Sequence, residues 1–320
     1  MEKVFENQSI YKSYFQLALP VVFSMVASMI YNLADTFFVS QTQNTDLIAG
    51  VSLCTPLFSL MLALGDIFGL GGSALISRLL GKKRYQESRQ ISSFCFYAAI
   101  AVGLATSLIL LVFQRPILTM LGAFGSNYRY AADFYQIMSI GAVFIIVSLI
   151  PGNVLRTEGL AKETMIATVV GTAITIVLDP FLIIGLHLNA YGAAFSTVLG
   201  YLISDIIFIY YIIHRSKNIS INKKEVKITS TGIKEVLLIG IPASITNLMQ
   251  SFGTALINNS LKPYGTKAIA ALGISLKIYL IVMLVMVGFA FGAQPLFGYN
   301  YGAGKFRKLF KIIRFDLIVV

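Results

Sequence analysis

Apolar runs of 18 residues or more recur along the whole of this chain, and few folds can accommodate them. Hydrophobic residues make up 57% of the 320 positions and charged residues only 12%, and the mean hydropathy of +0.79 lies far from that of an ordinary soluble domain. Hydrocarbon offers no water to the backbone N–H and C=O groups, so runs of this length read as membrane-spanning helices. The expected spans are 14–40, 47–77, 91–113, 131–155, 164–186, 190–213, 235–261 and 268–299, with a ninth beginning near Leu309. The first eleven residues are polar and mixed in charge and lead into a run long enough to span, so no cleavable signal peptide is expected. Cys54 and Cys95 both fall within expected spans, which argues against a disulfide framework.

The net charge of +11 raises the question of a nucleic-acid partner, but its distribution answers differently. With the amino terminus inside the cell and sides alternating, inside segments hold 20 of the 25 Lys and Arg, outside segments hold Arg115, Arg129, Lys262 and Lys267, and Lys277 falls within a span. That asymmetry is a positive-inside signal. It predicts a multi-pass protein of the cell membrane with a cytoplasmic amino terminus, its basic loops facing anionic membrane lipids. No nucleic-acid partner is expected.

The chain also repeats itself at an offset of 222–223 residues. Leu19-Pro20 matches Ile241-Pro242, and Ile48-Ala49-Gly50-Val51-Ser52 resembles Ile269 to Ser275 with one or two residues inserted. Phe68-Gly69 matches Phe291-Gly292, and Gly81-Lys82-Lys83-Arg84 matches Gly304-Lys305-Phe306-Arg307. Six expected spans separate the copies, an even number, so both insert in the same sense. The predicted architecture is all-α: two six-helix lobes related by a pseudo-two-fold along the membrane normal, with a substrate site between them. The first lobe would occupy 1–213, a cytoplasmic linker 214–233, and the start of the second lobe 234–320 (helices 7, 8 and part of 9). The sequence stops inside an apolar run, so the second lobe is expected to be incomplete.

Acids at bilayer depth are the chemical signal. A carboxylate there costs about 3 kcal/mol even on lenient scales, unless it meets a wet cavity, an ion or a proton. Helix 1 carries Ser24, Ser28, Tyr31, Asn32 and Asp35, and helix 5 carries Thr168, Thr172, Thr175 and Asp179, each set on one helical face. The hydroxyls alone are explained by bonds to their own backbone or a neighbouring helix; an Asp ending each stripe is not. Two carboxyls drawn together cannot both ionise cheaply, so they share a proton or hold a small cation such as Na⁺, with Asn, Thr and backbone oxygens as further ligands. Helix 6 adds Thr197, Tyr201 and Asp205 on one face, where a structural pairing of Asp205 with a basic neighbour competes with a functional role. Asp66 reads equally as cavity-lining or paired to a helix end, and Glu158 as structural. Pro20 removes a backbone donor from helix 1 and is expected to act as a hinge about four turns from Asp35. His187 and His214 lack metal-ligand spacing, and no Walker, nucleophile-elbow or dinucleotide motif appears, which leaves no enzyme reading and no cofactor.

Several strings together are distinctive: Leu17-Ala18-Leu19-Pro20, Tyr31-Asn32-Leu33-Ala34-Asp35-Thr36, Ile76 to Gly81, Leu155-Arg156-Thr157-Glu158-Gly159, Leu178-Asp179-Pro180, and Gly292-Ala293-Gln294-Pro295-Leu296-Phe297-Gly298-Tyr299-Asn300-Tyr301-Gly302-Ala303. The chain resembles the multidrug and toxic compound extrusion (MATE) family along its whole length, as the first two-thirds of a twelve-helix member. The resemblance implies a secondary antiporter expelling small cationic, amphipathic organic molecules in exchange for H⁺ or Na⁺. It implies Asp35 and Asp179 as the ion-coupling pair, with Asn153 and Thr197 as supporting oxygens and Thr175 where the family often has Asn. Helix 7 has no acid after Glu235, so Asn247, Gln250 and Asn258 would hydrogen-bond substrate in the cavity beside Tyr31 and Asn32.

A lipid-linked oligosaccharide flippase of the same superfold is the alternative, since fold does not settle substrate. Such a protein should line its cavity with Arg or Lys to meet pyrophosphate, whereas here Asp35, Asp66, Asp179 and Asp205 stand against Lys277. A non-transporting fragment is the remaining alternative. The expected oligomeric state is a monomer.

Overall fold

The computed structural model describes residues 2–6, 8–227, 229–261 and 266–320; side chains are not described for residues 2–3, nor within 247–281 except at Met249, Gly253 and Tyr279. Among the described residues every regular element is helical. After a short turn α1 (Glu2–Phe5) come α2 (Ile10–Gln41), α3 (Thr45–Leu53), α4 (Thr55–Gly81), α5 (Tyr85–Val112), α6 (Gln114–Met120) and α7 (Asn127–Thr157). They are followed by α8 (Ala161–Pro180), α9 (Asn189–His214), α10 (Ser230–Leu261), α11 (Thr266–Gly302) and α12 (Phe306–Val319). Seven stretches of the described residues are long and apolar enough to cross a membrane, so the chain is a multi-pass membrane protein.

Two boundaries differ from the sequence reading. The expected span 47–77 is two helices, α3 and α4, meeting at Cys54, with Pro56 in the first turn of α4. Proline is tolerated there because a first-turn N–H has no helical partner to lose. The expected span 164–186 is α8 followed by a π-helical turn, Phe181–Gly185. Pro180 marks the change of pitch, and the Leu186 amide donates to the Phe181 carbonyl at 2.9 Å. Cys54 and Cys95 are separate buried thiols.

Helix α7 is the spine of the first half, packed against α4, α5 and α9. Tyr135, Met138, Ala142, Ile145, Ile146 and Ile150 bury almost completely along it. By contrast α2 turns Phe15, Leu19, Phe23, Ile30, Leu33 and Phe37 outward, the reverse of a soluble helix and the arrangement a hydrocarbon solvent favours. Helix α10 lies along α4 and comes closest at Gly240. A Cβ built there would sit 1.9 Å from the Ile67 carbonyl oxygen, so only glycine permits this contact.

The end of the bundle that carries the basic loops is also where the chain's first and last described segments meet. The Tyr299 hydroxyl and the Lys305 ammonium donate to Glu6 at 2.9 and 3.1 Å, and Lys308 Nζ donates to the Phe5 carbonyl at 2.7 Å. These contacts, Tyr299 first, hold the Glu6 carboxyl below the usual glutamate range. The Tyr14 hydroxyl donates to Asp316 at 2.6 Å. Nearby, the segment after α9 is bound to the first half. Glu158 accepts from the amides of Asn218 (2.7 Å) and Lys217 (3.4 Å) and from the Ser216 hydroxyl. Arg89 makes a two-pronged contact with Glu225 at 2.9–3.2 Å and donates to the Lys217 carbonyl at 3.1 Å. Ser92 and Ser93 both donate to the Ser220 carbonyl, at 3.0 and 2.9 Å.

Candidate functional site

Asp35 and Asp179 come from helices far apart in sequence, α2 and α8, which pack side by side. Asp179 ends α8 just before the π-helical turn and is fully buried. One of its oxygens takes the Ser196 hydroxyl of α9; the other has no hydrogen-bond partner. Asp35 sits on the wall of a cavity of about 330 Å³ with Tyr31, Asn32, Thr36 and Thr197, and one of its carboxyl oxygens is buried without a partner. The two carboxyls are close enough to interact electrostatically with each other, and each with Tyr31 of α2. Two acids at bilayer depth, each short of donors, form an arrangement that a proton or a small cation stabilises.

Tyr31 ties α2 to α9. Its hydroxyl lies 2.7 Å from Thr197 Oγ1, and since the Thr197 proton is directed to the Ala193 carbonyl at 2.9 Å, Tyr31 is the donor. Thr175 bridges α8 and α9 by way of the Gly171 carbonyl at 3.1 Å and the Ser196 carbonyl at 3.3 Å. A Cβ at Gly200 would lie 2.1 Å from the Thr175 hydroxyl, so the bare glycine lets α9 approach that side chain.

A larger cavity of about 380 Å³ adjoins the first through Tyr31, Asn32, Phe58 and Thr197. The stripes expected on helices 1 and 5 open onto it: Ser24 and Ser28 from α2, Thr168, Thr172 and Thr175 from α8, with Thr197 and Tyr201 from α9. Asn32 lines both cavities, and its amide donates to the Ser28 carbonyl at 2.8 Å. Asn153 lines the larger cavity, which contains neither carboxyl of the pair. Its amide nitrogen donates to the Leu149 carbonyl at 2.8 Å and its oxygen accepts from Arg156. Helix α2 runs unbroken through Pro20, whose carbonyl accepts from Ser24 at 2.9 Å. Asn247, Gln250 and Asn258, together with Lys277, lie outside the described side chains.

Two residues here escaped the sequence reading. Ser196 is the donor to Asp179, yet it stands next to Thr197 and about 100° round the helix from it, so a stripe drawn through Thr197 misses it. Arg156, assigned by sequence to a cytoplasmic segment, lines the larger cavity. Its Nε donates to the Gly152 carbonyl at 2.8 Å, and Asp66 of α4 engages it electrostatically. Asp66 thus has a charged neighbour on α7, and Glu158 receives the linker amides.

The family model MatE matches residues 20–181 and 242–320. The chain is 34% identical over 303 residues to the multidrug export protein MepA of Staphylococcus haemolyticus, covering 95% of this chain and 67% of that protein. The MepA of Staphylococcus aureus strain NCTC 8325 is 33% identical with the same coverage. Among solved structures, a MATE crystal structure in the straight conformation superposes with a TM-score of 0.94 at 23% identity, over 99% of this chain and 71% of that one.

Proposed function

The chain belongs to the MatE family of multidrug and toxic compound extrusion transporters, and on that premise we propose that it serves ion-coupled efflux of small cationic, amphipathic organic molecules. Inward movement of H⁺ or Na⁺ drives the export, and Asp35 and Asp179 are the coupling carboxyls. The observation that carries this reading is the approach of two donor-poor carboxyls from α2 and α8 beside a cavity lined with hydroxyls and aromatic rings. Loaded with an ion the pair is neutralised and favours one arrangement of its helices; emptied, it favours another, and that difference in affinity between states is what an antiporter needs.

The two matched segments of the family model begin at 20 and 242, the spacing of the internal repeat, which supports a two-lobe transporter with its substrate path between the lobes. On this reading the basic end is cytoplasmic, facing anionic lipid headgroups, and the protein works as a monomer. Arg156 does not turn the cavity toward anionic cargo, because Asp66 offsets its charge. The test is ethidium efflux from proteoliposomes holding the full-length protein, driven separately by ΔpH and by a Na⁺ gradient. Asp35→Asn and Asp179→Asn should each abolish driven efflux while leaving insertion and folding intact. Driven efflux at the wild-type rate in either variant would refute the proposal.

A further inference from the structure

Asp205 is the buried acid that the Asp35–Asp179 pair does not use. It lies on α9 about two and a half turns before His214, is 5% exposed, and neither of its carboxyl oxygens has a hydrogen-bond partner. The usual reason for a buried acid is a structural ion pair, but none of the ion pairs Arg84–Glu87, Arg89–Glu225 and Lys305–Glu6 involves Asp205.

Its surroundings can be taken helix by helix. On α9 itself Tyr201, one turn back, interacts with it electrostatically. From α7 the Ser148 hydroxyl faces it without reaching hydrogen-bond geometry. Arg156, the charged group in the last turn of that helix, is held by Asn153, the Gly152 carbonyl and Asp66; its other charges, Arg129 and Asp133, lie at the opposite end. The α8 side presents the Ala167 carbonyl, which takes the Ser204 hydroxyl at 3.1 Å. Helix α2 joins α9 higher up, at Tyr31–Thr197, and α3 reaches only the far end, with Leu47 in one cluster with Ala190 and Ala193.

We propose that Asp205 is a second proton-holding site, on the basic side of the Asp35–Asp179 pair, which accepts the proton that the pair releases and delivers it to water at the basic end. This rests on the reading of the pair as the coupling site. Helix α9 supplies the route at successive turns: Ser196 on Asp179 and Thr197 on Tyr31, then Tyr201, then Asp205. Ser148 and Tyr201 also line the larger cavity, so the lower part of the route borders a space wide enough for water. An O–H bond on a pair carboxyl breaks as one forms on Asp205, each intervening oxygen accepting one proton and donating another. The Asp205 O–H then breaks to water, and no electrons change hands. A metal cation is the poorer occupant, because hard cations require several converging oxygens and the side-chain hydroxyls beside Asp205 are those of Ser148 and Tyr201. The route gives the proton a path inside one lobe, separate from the path of the drug.

The experiment compares wild type, Asp205→Asn and Asp205→Glu in the full-length protein. Three quantities are read: proton release on ethidium binding in weakly buffered detergent, ethidium exchange without a pH gradient, and ΔpH-driven ethidium efflux. Asp205→Asn should keep proton release and exchange within about twofold of wild type while slowing ΔpH-driven efflux on the order of tenfold or more, and Asp205→Glu should restore it. Unchanged driven efflux in Asp205→Asn would overturn the proposal. So would an equal loss of exchange and of thermal stability that Glu does not rescue, which is the mark of a structural role. If wild type releases no proton on binding ethidium, the pair does not couple protons and this proposal falls with that result, which is separable from the others because it needs no variant and leaves Na⁺ coupling at the pair to the Na⁺-driven assay.

Discussion

One hydroxyl fixes how Asp179 is held. Ser196 supplies the donor to one carboxyl oxygen of a fully buried acid whose other oxygen has none. Ser196→Ala should lower stability by about 1–3 kcal/mol, the cost of stripping a buried polar group of its partner. In a thermal-unfolding cycle with Asp179→Asn the two changes should be non-additive by at least about 0.5 kcal/mol; strict additivity would show that the contact contributes nothing. A second residue-scale prediction concerns Glu6. Its carboxyl is held below its unfolded value of about 4.3 by Tyr299 and Lys305. A depressed acid contributes stability above the unfolded value and loses it as the pH falls through the folded one. Unfolding followed between pH 7 and pH 3 should therefore show a smaller acid loss in Glu6→Gln than in wild type. At this scale the sequence made Asp35, Asp179 and their hydroxyl stripes legible, because a carboxyl at bilayer depth is conspicuous without any structure. Ser196 and Arg156 were not legible. Which neighbour a side chain meets depends on how two helices are rotated about each other, and no periodicity within one helix encodes that.

At the scale of elements, helix existence was readable and helix interruption was not. The apolar run from 47 to 77 continues across Cys54 because hydropathy registers the solvent outside a helix and ignores its internal geometry; Pro56 was the cue to a new start. Likewise Pro180 signalled an end to regular α-helix, while the π-helical turn that follows has no signature in composition. That turn lies immediately after Asp179, at the kind of position where such local changes of pitch often accompany function. Helix pairing has its own vulnerable point at Gly240. Gly240→Ala would place a methyl against the Ile67 carbonyl, and overpacking of this kind typically costs about 1–3 kcal/mol. The expected result is a lower unfolding temperature for the full-length protein, with the helical content before unfolding unchanged. A wild-type unfolding temperature would mean that α4 and α10 can separate without penalty.

For the molecule as a whole, the repeat at 222–223 residues led to the expectation of a duplicated architecture, with residues 214–233 as a plain linker. The structure binds most of that segment to the first half through Glu158, Arg89, Ser92 and Ser93. Arg89's guanidinium, and after it the Ser220 hydroxyl, hold the Glu225 carboxyl below its usual range. The prediction at this scale is proteolytic. Lys217, Lys223 and Lys224 lie on the bound segment, so limited trypsin should cut the native protein there slowly. Glu158→Ala, which removes the acceptor of two amides and a hydroxyl, should speed that cut severalfold while cleavage at Lys82 and Lys83 stays as it was. Equal rates in both proteins would show that the segment is not held by Glu158.

The binding of that segment also sets a mechanical limit. Glu225 is anchored and α10 begins at Ser230, so the covalent connection from the bound segment to α10 is short. Fully stretched, the five steps from Glu225 to Ser230 reach about 18 Å, less than the thickness of two helices laid side by side. A joint that short works as a door hinge does, with its pin set at the basic face. In a two-lobe transporter of the kind proposed, the edges of α4 and α10 nearest the pin would hardly part, and the travel would belong to the opposite rim. A chain lengthened by a run of Gly and Ser between Glu225 and Ser230 would lose the pin and keep the door.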